Sequence, residues 1–125
     1  MIVTEHISTI LLVTGGITAL PVLQFLFPAK FLKWVNQIEI SDEAGLFYAR
    51  HWGLVVFSLG ALLIFAAHHA EAREAIMLCA LIEKLGIVLL IASNRKRPFT
   101  RGLVVTAIFD SVCSLLYLAY LAGWA

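Results

Sequence analysis

Four long apolar stretches, separated by short segments in which the charges gather, organise this chain. They run from about Ile7 to Phe27, Ala44 to Ala67, Ala75 to Ser93 and Gly102 to Ala122. About 20 apolar residues rising 1.5 Å each cover the roughly 30 Å hydrocarbon core of a bilayer, so each stretch predicts a membrane-spanning helix. The stretches are too long for barrel strands, and lipid offers no water to satisfy open backbone amides. The expected fold class is therefore all-α, a single domain of four transmembrane helices packed as a bundle.

Punctuation residues refine these elements. Ser41, followed by Asp42 and Glu43, predicts an N-cap and acidic first turn for the second helix. Asn94 and Pro98 predict the end of the third. Pro21 predicts a kink that frees a carbonyl in the first. Gly15-xxx-Ala19 and Thr14-xxx-Thr18 give that helix a small-residue face for close packing, and Gly53, Gly60 and Gly86 predict similar work elsewhere.

The basic residues set an orientation. The first and third connections share one face and hold Lys30, Lys33, Arg95, Lys96, Arg97 and Arg101, whereas the opposite face carries Arg73. By the positive-inside rule both termini are expected on the non-cytoplasmic side. The first connection, PAKFLKWVNQIEI, mixes Phe31, Leu32, Trp34 and Ile38 with two lysines. It predicts a short segment lying in the cytoplasmic interface with its lysines snorkelling. Tyr48 and Trp34 would mark the inner aromatic belt, Tyr120 and Trp124 the outer one.

Composition agrees. The 125 residues are 62% hydrophobic and 14% charged, with a mean hydropathy of +0.95, against about half apolar and a quarter charged in soluble domains. A net charge of +1 gives no bulk attraction to nucleic acid. The opening residues lack the basic region of a cleavable signal peptide. Cys79 and Cys113 fall inside spans without metal-type spacing and read as buried free thiols. The expected setting is an integral membrane protein, in the inner (plasma) membrane of a bacterium.

Glu83 and Lys84 break the third apolar stretch at its centre, and ionisable residues at that depth are costly and tied to function or assembly. Together they oppose insertion by roughly 5–7 kcal/mol, while the Leu, Ile and Val residues around them favour it by roughly 3–6 kcal/mol. The helix therefore needs polar partners. Arg50 and His51 on the second helix and Asp110 on the fourth are the candidates. Asp110 shares a face with Thr106, Ser114 and Tyr117. Counted from the cytoplasmic edge, Lys84 and Asp110 lie at roughly 13–15 Å, Glu83 at about 16 Å and Arg50 at about 9–12 Å. Neighbours on a helix point about 100° apart, so Glu83 and Lys84 need separate partners. Arg50 for Glu83 and Asp110 for Lys84 give a net-neutral centre. Two roles fit it: glue that fixes helix register, or a ligand, ion or proton site to which His51 belongs.

Other signals carry less. His68, His69 and Glu71 gather near Glu5 and His6 but match no metal-binding spacing. No nucleophile–base pair, phosphate loop or haem-type histidine spacing is present, and no cofactor or metal is implied. The cluster Arg95, Lys96 and Arg97 follows from topology and suits anionic lipid headgroups.

The run Tyr48-Ala49-Arg50-His51-Trp52-Gly53, followed by Gly60-Ala61-Leu62-Leu63 and by Glu83-Lys84, resembles small four-helix bacterial membrane proteins, most of them uncharacterised. The Phe27-Pro28 turn before an amphipathic loop is similar to that group as well. The Arg-aromatic-Gly pattern of the second helix also resembles the ergosterol scaffold protein family. Either resemblance implies an accessory or hydrophobic-ligand role. Small multidrug transporters place a glutamate in mid first helix, where this chain has only Glu5, at its edge. The motif of the glutathione-linked membrane enzymes is missing too.

The expected function is thus a non-enzymatic accessory or scaffold protein that holds a lipid or hydrophobic small molecule near the charged centre. Its expected partners are membrane lipids, with a homo-oligomer or a larger membrane complex left open. The alternative is a small oligomeric ion- or proton-coupled transporter or channel. A membrane enzyme using Asp110 or Glu83 as an acid–base group is the third reading.

Overall fold

The computed structural model describes residues 2–124. Every regular element among them is helical: α1 Ile2–Glu5, α2 Ile7–Thr18, α3 Val22–Leu26, α4 Pro28–Asn36, α5 Glu43–His68, α6 Ala70–Ser93, a 3-10 segment Pro98–Leu103, and α7 Val104–Ala122. Four helical stretches are long and apolar enough to cross a membrane: Ile7–Leu26 taken across its break, Glu43–His68, Ala70–Ser93 and Pro98–Ala122. Only 22% to 33% of the most apolar part of each is buried inside the protein. Large side chains such as Phe47, Ile82, Leu89, Val105 and Leu115 face outward. A continuous apolar exterior of this kind is what lipid contact requires and water disfavours.

Local chemistry sets the ends. Asp42, not the expected Ser41, caps α5, its carboxylate accepting from the Gly45 amide at 2.7 Å. Pro21 breaks the first span because it has no amide to offer the Ile17 carbonyl. That carbonyl is not left free as expected; the Leu20 amide donates to it at 3.1 Å. The interfacial segment of the first connection is the helix α4, with Pro28, Leu32 and Asn36 turned inward. It stops at Gln37, whose φ of 52° reverses the chain as left-handed C-terminal residues do. Between α5 and α6 the turn is one residue, His69. There Arg73 donates from Nε to the Ala66 carbonyl at 3.0 Å and from Nη2 to that of Ala67 at 3.2 Å. Both are orphan carbonyls of a helix end. The third apolar stretch accordingly starts five residues earlier than the hydropathy suggests, at Ala70.

The helices pack in a ring, α2 on α5, α5 on α6 and α6 on α7, with the Tyr117 hydroxyl of α7 meeting Thr14 of α2 at 2.6 Å. Backbone contact is closest between α2 and α5. A Cβ on Gly60 would overlap the Ala19 amide and lie 2.7 Å from the Gly15 carbonyl oxygen, and one on Gly15 would lie 2.9 Å from Leu63 Cβ. Gly53 lets α3 approach α5 in the same way, with the Pro21 oxygen 2.7 Å from where a Cβ would be. Gly86 does not do the packing work expected of it: nothing lies within 4 Å of a Cβ there.

The tightly packed core occupies one half of this ring. It joins Ile7 and Leu11 to Leu59, Leu63 and Ala66, and these to Met77, Ala80, Cys113 and Tyr117. The α5–α6 turn closes this half, where Ser8 donates to the Ala67 carbonyl and α1 touches α7. At the other end the two basic connections meet. Asn36 Nδ2 of α4 donates to the Gly102 carbonyl at 3.2 Å. A Cβ on Gly102 would collide with the Asn36 carbonyl, so α4 seats there against bare backbone.

Candidate functional site

The other half of the ring is not filled. After Pro21 the chain stays on α5 as α3, held there by Gln24, whose Nε2 donates to the Ala49 carbonyl at 2.7 Å. The contacts of α3 go to α5 and α4, so α6 and α7 lose their first-span neighbour below Thr18. The result is a cavity of about 360 Å³ with an almost wholly apolar wall, including Ile17, Phe31, Trp52, Val56, Ile87 and Phe109. That volume sits at the small end of ligand pockets, which run from about 300 to 1,000 Å³. Leu20 and Leu23 on one flank and Val105 on the other are exposed at the outer surface, so the cavity opens sideways rather than being sealed.

Lys84 and Asp110 lie where the packed core gives way to this cavity. Lys84 Nζ is 2.9 Å from Asp110 Oδ1 and 2.9 Å from Thr18 Oγ1, with the Phe109 ring centroid 4.8 Å away. Lys84 is 1% exposed and Asp110 6%. An isolated ammonium so placed would be strongly destabilising; pairing and hydrogen bonding offset that cost. The Thr18 hydroxyl gives its one proton to the Thr14 carbonyl at 2.7 Å, so toward Lys84 it accepts. The same reasoning fixes Thr14: it donates to the Ile10 carbonyl, and Tyr117 therefore donates to it.

The other anticipated residues divide. Glu83 lines the cavity and is half-buried, and no hydrogen bond or ion pair to it occurs among the described residues. Arg50 and His51 on α5 are exposed and do not line the cavity. The expected Arg50–Glu83 pair is not formed among the described residues. The reason is rotational: Ala49 and Gly53 face inward on α5, which turns Arg50 outward. Thr106 joins the cavity wall. Ser114 is buried, but its hydroxyl donates to the Asp110 backbone carbonyl at 2.7 Å and not to the carboxylate. Of the two thiols Cys113 is buried while Cys79, expected inside, is exposed.

Four contributors were not anticipated: Thr18, Phe109, Gln24 and Asn36. Thr18 had a legible signal, a hydroxyl in mid first span at the depth of Lys84. Gln24 and Asn36 follow from the break at Pro21, which hydropathy alone does not reveal. Among the described residues no group of three or more His, Cys, Asp or Glu is placed to hold a metal ion. Comparison with protein-family models, curated proteins and solved structures gives no match to this chain.

Proposed function

We propose that this protein is a small integral membrane accessory protein that holds a lipid or another hydrophobic small molecule in the cavity beside the Lys84–Asp110 pair. The observation that carries this reading is the cavity itself, an apolar space with charged groups confined to one side. Ligand sites have this composition, apolar walls with few polar groups that fix orientation. The side opening suits a ligand that arrives from the bilayer. In this reading the four apolar helices span a bacterial inner membrane, the two basic connections lie in the cytoplasm, and both termini lie outside.

The test is native mass spectrometry of the protein purified in mild detergent, with extraction of whatever travels with it. A bound species of defined mass is expected on the wild type and not on Val56→Trp, which fills the cavity. Identical spectra for the two proteins would reject the proposal.

One observation favours a second reading. Glu83 stands beside the Lys84–Asp110 pair without an ion partner of its own, and unpaired acids at membrane depth serve as ion or proton carriers. A small transporter or channel would show flux in liposomes that Glu83→Gln abolishes while the fold persists. An accessory protein would show none.

A further inference from the structure

The chemistry of the cavity wall specifies more than an apolar guest. Its ionisable groups are two carboxylates, Glu83 and Asp110, and one ammonium, Lys84. Lys84 is committed to Asp110 and Thr18, which leaves the Glu83 carboxyl group without a counterion. The wall's amides tell the same story. Gln24 and Asn36 spend an NH2 group on the carbonyls of Ala49 and Gly102. Since a carbonyl accepts only from the nitrogen end, each amide keeps its oxygen as an acceptor. No buried side-chain oxygen or nitrogen among the described residues lacks a partner, so these two oxygens retain accessible surface. The aromatic residues Phe31, Trp52 and Phe109 also line the wall, and aromatic rings attract cations, as Phe109 does Lys84.

We infer that the cavity selects an amphiphile with a single positive charge on its head, an alkylammonium in chemical class, with the head at Glu83 and the tail along the apolar wall toward the side opening. This rests on the reading of the cavity as a ligand site and adds the sign of the ligand's charge. A cationic head supplies the missing counterion at a depth where a lone carboxylate is costly. An anionic amphiphile of the same length meets Glu83 as a like charge. A neutral one fills the space but leaves the carboxylate unpaired.

Three probes that share a chain and differ only in the head separate these cases: dodecylammonium, dodecanol and dodecanoate. Their binding is measured on the full chain in nanodiscs of zwitterionic lipid, with empty nanodiscs subtracted. Dodecylammonium is expected to bind about 10-fold or more tighter than dodecanol, the gain of one charge-assisted contact, with dodecanoate weakest. Glu83→Gln is expected to bring dodecylammonium to the level of dodecanol, and an unchanged helical circular dichroism spectrum shows that the variant is folded. Equal binding of ammonium and alcohol, or a preference that survives Glu83→Gln, overturns the charge inference and leaves the ligand site standing. Failure of all three probes to bind beyond empty nanodiscs overturns both.

Discussion

Lys84 on α6 and Asp110 on α7 form a buried ion pair at 2.9 Å, and the same ammonium reaches Thr18 on α2. One side chain therefore ties three helices together at the level where the packed core ends. The two partners are not independent, and that has a measurable consequence.

Removing one partner strands the other. Asp110→Leu alone, like Lys84→Met alone, is expected to destabilise the protein by about 3–5 kcal/mol, whereas the two combined are expected to be near neutral or stabilising. Unfolding of the purified variants in detergent, followed by circular dichroism, checks this as a double-mutant cycle. A loss in the double variant equal to the sum of the two single losses would show that the pair is not coupled.

Tyr117 donates to Thr14 across the α7–α2 boundary, and Thr14 keeps its own donation to Ile10 without it. Tyr117→Phe thus removes one interhelical bond and leaves no buried donor stranded. The expected cost is modest, about 0.6 to 1 kcal/mol, seen as a small drop in the thermal midpoint in detergent.

Two glycines make opposite predictions. Gly60→Ala pushes a methyl into the backbone at Ala19 and Gly15, and overpacking of this kind costs about 1–3 kcal/mol. Gly86→Ala meets open space and raises helix propensity by about 0.8–1.0 kcal/mol at most. Thermal unfolding of both variants side by side should give shifts of opposite sign.

The meeting of α4 with the 3-10 segment gathers Lys30, Lys33, Arg95, Lys96, Arg97 and Arg101 at one end of the molecule. By the positive-inside rule that end is expected to face the cytoplasm. Alkaline phosphatase fused to either terminus should be active in a bacterial host, and a fluorescent protein fused there should stay dark. The reverse pattern would invert the assignment.

Much of the architecture was legible along the chain. The four apolar stretches, their helical state and the gathering of basic residues follow from hydropathy and spacing, because a bilayer demands long apolar helices whatever their neighbours are. The link between Lys84 and Asp110 was legible too, since depth along a helix is a count of residues at 1.5 Å each. That count is blind to rotation. Arg50 sits close enough in depth to be assigned to Glu83, yet Ala49 and Gly53 take the inward face of α5 and turn it away. Gly86 shows the same limit: a glycine in a span marks close packing only if a neighbour happens to lie against it.

Which segments are helical, how far along each helix the charges lie and which end is basic are properties of single segments, readable from the residues in order. Which charges meet, the isolation of Glu83 and the cavity beneath them are properties of the packing. These depend on how α2 and α3 lie on α5 after the break at Pro21. Small-residue contacts at Gly15, Gly53 and Gly60 hold that arrangement, and it draws α3 away from α6 and α7. The space left behind is a difference between packings, which no single stretch of chain encodes.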